Sequence, residues 1–468
     1  MRSVAPRPRL NSLPCTGDVV RIAPNELVFV RPQALSDIYG AHHRNKQLFP
    51  KTQFNNHGSE ERGGLVWGWD PVRHRQVAKQ ISPAFSGRAL RAKEPTLHRY
   101  IVIRICPLTA LVTYIDLFTQ HMMSDGQDGQ GVSLPTCLNW LCFGISGEIA
   151  YSCEMNAMRH KANPPYLSLI YGFNMFMTVT HVSWRFPLLS PFKYLFLLSP
   201  ISRPHGDIRK HSRARLEQRI CQKGAFQHLD FFEQIIPEDR EPPSDPKEMR
   251  RLEQVAAQLL VAGYEPPSIW LCSTLYHLLK QTSTLRTLIG EIRGSFEACE
   301  DSTVETAVSL PYLTACLKEG LRILPNTASS HGMPCIGPGT TVDGSYIPRG
   351  VVYQTSTFSL ARSPKYFFDP LHFRPSRWLS QDYAMYDTQF ADEELKGYQS
   401  FSQGPRACMG REIAWWQARL FLAKLLWKFD LELVPGQQIN IDEDLRVYGM
   451  YTKPEVRVRF VPLIQESQ

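Results

Sequence analysis

The sequence lacks the features that mark several specialised classes of protein. Its eleven cysteines are scattered singly, with no C-x-x-C pair. Neither a disulfide framework nor a zinc module is therefore indicated, and most of the thiols should be reduced core residues. No long run of lysine or arginine occurs, and 52 basic against 44 acidic residues give a net charge of +8. This mild excess argues only weakly for nucleic acid, and we expect no nucleic-acid partner. It better suits an acidic protein partner or a membrane surface.

Long apolar segments are also missing. No segment supplies the roughly 20 uninterrupted apolar residues that a membrane span needs. The nearest candidate, Ile101–Phe118, is interrupted by Arg104, Pro107 and Asp116. The first ten residues carry three arginines and two prolines with no apolar stretch behind them, so no signal peptide is visible. Taken alone, these absences predict a soluble protein of a reducing compartment.

The 468 residues contain enough apolar material for a large core, because 43% are hydrophobic and 21% are charged, which is average for globular proteins. Lys247–Lys280 has helical periodicity, and a helix of that length would span about 50 Å at 1.5 Å per residue. Strand and hairpin patterns occur near both ends and in one late insertion: Val19–Ile22, Leu27–Val30, Val342–Tyr346, Val447–Tyr451 and Val456–Phe460. The sequence therefore predicts one domain over residues 1–468, mainly α with a small β lobe (α+β).

The most informative segment is Phe401–Gly410, which leads into a predicted helix over Arg411–Trp427. A helix N-terminus lowers the pKa of a thiol, and its free N–H groups can hydrogen-bond the sulfur of Cys408. Gly404 allows a tight turn, and Arg406 supplies a permanent cation two residues before the cysteine. A thiolate is a suitable iron ligand that favours O–O cleavage. The spacing does not fit a phosphate-binding Walker loop, and this context sets Cys408 apart from an ordinary core cysteine.

This segment reads F-S-Q-G-P-R-A-C-M-G and resembles the F-x-x-G-x-R-x-C-x-G haem loop of the cytochrome P450 family at every fixed position. The resemblance extends to fungal, microsomal-type members that oxidise secondary metabolites. It covers Val19–Tyr39, His74–Pro95, Leu134–Ser199 and Leu313–Arg419. It implies a cytochrome P450-like fold with the long central helix over the haem, and haem b (iron protoporphyrin IX) as the cofactor. Cys408 would be the axial iron ligand, and Phe401 and Gly404 of the same loop would be cofactor-binding residues.

A second pair of motifs resembles a structural cluster of the same family. Glu319 and Arg322 lie three residues apart, on one face of a predicted helix. Phe373-Arg-Pro-Ser-Arg377-Trp378 is similar to the P-x-R-[FW] element. An isolated E-x-x-R pair is usually a surface ion pair of little consequence. In the family, these motifs form a Glu–Arg–Arg cluster that braces the cysteine loop, and we expect that structural role for Glu319, Arg322 and Arg377.

The resemblance also implies residues that hold the carboxylates of the haem. Arg406 is the strongest of these by motif. His331, in Ser-Ser-His-Gly-Met-Pro, falls where the family usually has an arginine or a histidine before the D-G hairpin. A solvated loop histidine is the alternative for His331.

His74 matches the first member of the family's W/H-x-x-x-R helix, which also contributes to the haem carboxylates. The position of the arginine is occupied by Ala78. The second contact is therefore either missing or supplied by Lys79 or Arg75.

The predicted central helix departs from the family at its most functional point. Its segment Ala262-Gly263-Tyr-Glu265-Pro266-Pro267 is similar to A-G-x-[DE]-T-[TS], but Pro266 replaces the threonine whose hydroxyl assists proton delivery. Ala262 and Gly263 would leave room for dioxygen, and Glu265 would be the main proton source. Two prolines inside a helix remove two hydrogen bonds and free the carbonyls of Ala262 and Gly263. We therefore expect a kink there.

The expected function is that of a haem-thiolate monooxygenase acting on an apolar natural-product scaffold, with electrons from NADPH–cytochrome P450 reductase. Because of Pro266, two alternatives remain: an atypical haem-thiolate isomerase, dehydratase or peroxygenase, and a non-catalytic haem-binding relic. The resemblance implies the endoplasmic-reticulum membrane, although this chain begins without the family's anchor and would be soluble if its start is correct. Residues 101–114 interrupt a family-like helix, so we interpret them as a translated intron or as a genuine loop.

Overall fold

The chain is built mainly from α-helices. The computed structural model describes residues 17–40, 49–52, 64–66, 68–85, 107–186, 188, 191, 204–222, 236, 241–326, 333–334, 339–448 and 450–463. In these residues the helices are α1 (Pro32–Tyr39), α2 (Pro71–Ile81), α3 (Pro107–Asp125), α4 (Leu134–Tyr151), α5 (Ala157–His160), α6 (Pro165–Arg185), α7 (Pro204–Cys221), α8 (Pro246–Lys280), α9 (Thr282–Ser295), α10 (Val304–Val308), α11 (Pro311–Ile323), α12 (Thr357–Ala361), α13 (Arg411–Lys428) and α14 (Ile441–Asp444). None of them is long and apolar enough to cross a membrane. The predicted mainly α class is confirmed.

Local chemistry fixes where the central helix begins. Asp245 accepts a hydrogen bond from the Lys247 N–H at 2.9 Å, and Pro246 is the first residue of α8. An aspartate cap satisfies a free N–H of the first turn, and a proline there lacks the N–H that would be unpaired. The helix then runs for 35 residues through Pro266 and Pro267 to Lys280 without a break. The long central helix predicted for Lys247–Lys280 is thus present.

Eleven short strands form the small β lobe of the described residues: β1 (Val19–Ala23), β2 (Glu26–Phe29), β3 (Val132–Ser133), β4 (Met333–Pro334), β5 (Thr340–Val342), β6 (Ser345–Ile347), β7 (Val352–Thr355), β8 (Phe429–Leu433), β9 (Arg446–Tyr448), β10 (Met450–Thr452) and β11 (Arg457–Pro462). The larger sheet has the order β1-β2-β7-β4, with β2 and β7 parallel. A second sheet has the order β3-β11-β8. The first sheet therefore joins the N-terminal strands to residues 333–355, and the second joins residues 132–133 to the C-terminal strand.

Two of the predicted hairpins are present, and one segment predicted as a single strand forms two strands. The first hairpin pairs β1 with β2. Between β5 and β6, Asp343 and Gly344 have φ values of +48° and +73°, the left-handed pair that a type I′ turn requires. Val447–Tyr451, expected as one strand, instead forms β9 and β10, with Tyr448 opposite Met450. Its alternating pattern gave no indication of the reversal.

Two hydrophobic cores lie side by side. The larger one joins α3, α4, α8, α9, α11 and α13, and the smaller one packs α1 against the larger sheet. Trp378 and Tyr398 pack against both cores. The chain that leads to the cysteine loop is therefore held between the helical lobe and the β lobe.

Part of the suspected insertion lies inside a packed helix. Residues 101–106 lie outside the described part of the chain, but residues 107–114 form the first turns of α3. Leu111 is fully buried, and Tyr114 touches α4 so closely that a Cβ on Gly144 would lie 2.3 Å from its ring. The interpretation of 101–114 as a translated intron stays a prediction.

Candidate functional site

The loop from Phe401 to Gly410 closes on itself through backbone hydrogen bonds. The N–H of Cys408 donates to the Phe401 carbonyl at 2.9 Å, and the N–H of Ala407 donates to the Gly404 carbonyl at 3.0 Å. Gly404 has a φ of +71°, in the region where a side chain would be strained. Helix α13 begins directly after the loop. The loop thus presents Cys408 at the N-terminal end of α13.

Cys408 differs from most of the other cysteines. Of the eight cysteines in the described part of the chain, five are buried, and only Cys408 and Cys221 are exposed. Although the Cys408 side chain is exposed, desolvation by the surrounding protein raises the pKa of its thiol and outweighs the lowering by the Gly410 N–H and the Arg411 charge. The lowered pKa expected at a helix N-terminus is therefore not found in the protein alone. The exposed Cys408 is therefore the thiol that is both held by a structured loop and open to a ligand.

Aromatic side chains fix the first residue of the loop between three helices. The Phe401 ring lies 6.1 Å from Trp270 of α8 and 6.3 Å from Trp415 of α13, and the two tryptophans are 4.9 Å apart. Trp270 also donates its indole N–H to the Leu317 carbonyl of α11 at 2.9 Å. Packing of Phe401 against these two rings therefore holds the start of the loop in place.

Glu319, Arg322 and Arg377 meet in a fully buried cluster. Arg322 binds both carboxylate oxygens of Glu319, at 2.8 and 2.9 Å, and Arg377 Nε lies 3.2 Å from Glu319 Oε1. The Arg374 N–H and the Trp378 indole each add a bond of 2.8 Å. Burial alone would raise the pKa of Glu319, but Arg322 and Arg377 hold it below its ordinary value. Glu319 thus stays ionised inside the protein.

Sequence reasoning missed a fourth member of this cluster. Glu393 forms a short ion pair with Arg377 and accepts the Phe368 N–H at 2.8 Å. It lies in a polar stretch, 74 residues from Glu319, with no pattern that marks it as buried. Two carboxylates therefore balance two guanidinium groups. Trp378 packs 4.7 Å from the ring of Tyr398, which connects the cluster to the chain just before Phe401.

Basic side chains lie next to the cysteine loop. Arg406 donates to the Gly68 carbonyl at 3.0 Å and to the Trp69 carbonyl at 3.3 Å. His74 is buried next to them, and burial together with the charge of Arg406 lowers the pKa of His74 to about 4. Burial also lowers the pKa of Arg406 to about 10. A pKa of about 4 keeps the His74 imidazole neutral near pH 7, while a partly buried guanidinium is favoured near negative charge. The thiol, together with Arg406 and the imidazole N–H of His74, therefore suits an iron cofactor that carries carboxylates. His331 lies outside the described residues.

The segment of α8 nearest the prolines presents two different surfaces. Ala262 is exposed, and Pro266, one turn later, is half-buried on the same face. At Gly263 we correct the expectation of room for dioxygen. A Cβ there would lie 2.4 Å from the Ser146 hydroxyl of α4, so the missing side chain accommodates a neighbouring helix. The Ser146 hydroxyl also donates to the Leu260 carbonyl at 2.7 Å.

Glu265 lies on the buried side of α8 and contacts the C-terminal hairpin. Its carboxylate accepts the Tyr451 N–H, while its Oε1 has no hydrogen-bond partner within the described residues. Burial raises its pKa to about 7, although the charge of Lys453 opposes this rise. Ser268 is fully buried, and Lys453 Nζ lies 2.9 Å from its hydroxyl. Ser268 also donates to Asn139 at 2.7 Å. The Ser268 hydroxyl is therefore already hydrogen-bonded to residues other than Pro266, namely Asn139 and Lys453.

Comparisons with known proteins agree with this geometry. The family model "Cytochrome P450" matches residues 22–458. The cytochrome P450 monooxygenase TwmD of Talaromyces wortmannii is 60% identical over 446 residues, which cover 95% of this chain and 84% of that protein. The cytochrome P450 monooxygenase poxC of Penicillium oxalicum is 31% identical over 95% of this chain and 81% of its own length.

A solved structure has the same fold. The crystal structure of the cytochrome P450DA heme domain superimposes with a TM-score of 0.71 at 17% identity, and the match covers 95% of this chain and 88% of that one. The predicted cytochrome P450-like fold is thus confirmed. The family and the fold imply a haem cofactor, and relatives as similar as TwmD identify an oxidoreductase. The chain belongs to the cytochrome P450 family and is a cytochrome P450 monooxygenase.

Proposed function

We propose that this monooxygenase uses haem b to insert one oxygen atom from O₂ into an apolar natural-product scaffold. The observation that carries the proposal is the exposed Cys408 thiol just before α13, beside the half-buried Arg406 and the buried His74. Cys408 would bind the iron, while Arg406, His74 and His331 would hold the carboxylates. When bound, the haem supplies the redox chemistry, and a thiolate ligand favours O–O cleavage.

The substrate would meet the exposed face of α8. Ala262 and Pro266 offer this face only small apolar groups and no hydrogen-bond donor. Such a surface suits an apolar scaffold, since a polar ligand would leave its own groups unpaired there. The relatives are named as monooxygenases of fungi, which fits a natural product of a fungus as the substrate class.

Glu265 would be the main source of protons for the reaction, because Pro266 replaces the threonine that normally assists proton delivery. Its pKa of about 7 keeps its carboxyl partly protonated near neutral pH, and Oε1 can carry that proton. Proton transfer is most effective when the pKa of the acid lies near the working pH. Pro266 has neither a hydroxyl nor an N–H, so it cannot share this task.

Electrons would come from NADPH–cytochrome P450 reductase. The net charge of +8 suits an acidic partner, because charge complementarity speeds association. The family resemblance favours the endoplasmic-reticulum membrane as the place where the two proteins meet.

Pro266 favours a second candidate, in which the enzyme catalyses an isomerisation, a dehydration or a peroxide-driven oxidation. We would incubate the purified protein with candidate scaffolds under ¹⁸O₂, once with NADPH and reductase and once with hydrogen peroxide. The proposal predicts product that contains one ¹⁸O atom and forms only with reductase. Product formed without reductase, or without ¹⁸O, would support the second candidate. A haem-loaded protein that converts no scaffold under either condition would indicate the non-catalytic relic.

A further inference from the structure

A third basic side chain lies near Arg406 and His74, and no family motif marks it. Lys51 is only 7% exposed, and its ammonium donates to the Val66 carbonyl at 2.5 Å. Its backbone N–H donates to the Trp69 carbonyl at 3.1 Å, the same carbonyl that Arg406 contacts. Lys51 and Arg406 therefore both donate hydrogen bonds to carbonyls of the short segment that contains Val66, Gly68 and Trp69.

Within the described residues, positive charge outweighs negative charge around Lys51. Burial first, and then the charge of Arg406, lowers the pKa of Lys51 to about 7, and the charge of Lys51 in turn contributes to the lowered pKa of His74. The acid that acts on Arg406 is Asp70, and its carboxylate already accepts the first N–H groups of α2. An ammonium buried beside the guanidinium of Arg406 is costly unless an anion completes the group.

The segment that carries this cluster is fixed against α8. The Val66 N–H donates to the Gln258 side chain at 2.8 Å, and a Cβ on Gly64 would lie 1.9 Å from the same side chain. Gln258 lies one helical turn before the exposed Ala262, and therefore on nearly the same face. The segment that Lys51 contacts therefore connects this side of α8 with Arg406 of the cysteine loop.

The other basic residues near His74 are less suited than Lys51 to bind the cofactor. The helix that contains His74 carries Ala78 where the family has an arginine, and its neighbouring cations Arg75 and Lys79 are both exposed. Neither is buried with His74 and Arg406, whereas Lys51 is.

We propose that Lys51 is a cofactor-binding residue that holds a haem carboxylate and so takes over the task of the arginine absent at Ala78. This inference rests on the proposed haem-thiolate function. It assigns to residue 51 a contact with the cofactor's negative charge, in addition to its contact with the Val66 carbonyl. The haem carboxylate would supply the negative charge that Lys51 and Arg406 require beside His74.

The test compares haem release from the parent protein with that from Lys51→Met, Lys51→Arg and the exposed control Lys79→Met. Release is followed as transfer of haem to excess apomyoglobin. A lost charge-assisted hydrogen bond should make Lys51→Met release haem about 10- to 100-fold faster. Lys51→Arg keeps the charge and Lys79→Met leaves the cluster intact, so both should stay within about threefold of the parent. Equal rates for Lys51→Met and the parent would overturn the proposal.

A second arm separates carboxylate binding from support of the fold. The same proteins are loaded with haem dimethyl ester, in which both carboxylates are neutral. The difference between Lys51→Met and the parent should then fall below about twofold, because the charge that Lys51 recognises is gone. An undiminished difference would show that Lys51 only supports the fold and would overturn the proposal. If Lys51→Met fails to fold, Lys51→Gln takes its place in both arms. A parent protein that lacks a thiolate-type spectrum would instead contradict the proposed function, independently of any change at Lys51.

Discussion

Removal of Arg377 tests the predicted bracing of the cysteine loop. In Arg377→Ala, Glu319 keeps Arg322, but Glu393 loses its ion pair and retains the Phe368 N–H. The carboxylate of Glu393 is only 3% exposed. Burial already raises the pKa of Glu393, and Arg377 opposes this rise. The substitution therefore leaves either a buried negative charge without a cation or a carboxyl that must take up a proton.

The size of the effect follows from this orphaned charge. Breaking a buried ion pair by removing one partner costs about 3–5 kcal/mol, because the remaining charge stays out of water. The guanidinium of Arg377 also packs over the Phe390 ring at 4.6 Å, and loss of that contact adds to the cost. Since folded domains are stable by only about 5–15 kcal/mol, a loss of this size should also reduce haem retention.

The neighbouring arginine provides a matched control. Arg374 pairs with Asp369, but its side chain is 51% exposed, so Arg374→Ala should cost no more than about 1 kcal/mol. Its backbone N–H still binds Glu319 in that variant. A double variant, Arg377→Ala with Glu393→Gln, removes the orphaned charge and should recover part of the lost stability.

Denaturant unfolding and the haem content of the purified proteins measure these effects. We expect Arg377→Ala to lose most of its haem while Arg374→Ala retains it. Full haem occupancy in Arg377→Ala, or an equal loss in Arg374→Ala, would refute the reasoning that the buried cluster supports the loop of Cys408.

Three further predictions concern α8. Glu265→Gln should lower product per NADPH consumed far more than Ser268→Ala, and Pro266→Thr should leak less peroxide than the parent; equal coupling in all four proteins would mean that this segment does not handle protons. Because burial raises the pKa of Glu265 from 4.5 to about 7, the folded protein holds a proton that the unfolded chain releases. Stability should therefore fall by up to about 3 kcal/mol as the pH rises from about 4.5 to 7, and an unfolding series in which Glu265→Gln shows the same fall would contradict this. Gly263→Ala should destabilise the protein through its clash with Ser146, and Ser146→Ala should relieve it; thermal unfolding that shows no relief would place the clash elsewhere.

Patterns of neighbouring residues made several parts of the fold and of the site predictable from the sequence. The positive φ values of Asp343 and Gly344 follow from a D-G pair, and Pro246 after Asp245 marks the start of α8. The closed loop of Cys408 and the meeting of Glu319 with Arg377 follow motifs of fixed spacing. In each case the residues that carry the signal lie close together in the chain or belong to a recognised motif.

The parts that could not be predicted depend on contacts between distant segments. Lys51 meets Arg406 through a loop more than 300 residues away in sequence, and Glu393 resembles any surface acid until Arg377 is placed against it. The glycine at 263 looks like space for a ligand, but only the packing of α4 reveals that Ser146 occupies that space. Spacing along one helix cannot show which neighbour covers each of its faces.

The absorption spectrum of the reduced, carbon-monoxide-bound protein tests the central claim most directly, because it reports which protein atom binds the haem iron. Parent protein and Cys408→Ser are purified in parallel and compared after reduction and exposure to carbon monoxide. If Cys408 is the ligand, the parent shows the red-shifted Soret band of a thiolate-bound haem and Cys408→Ser does not. An unshifted band in the parent, or a red-shifted band that persists in Cys408→Ser, would contradict the account.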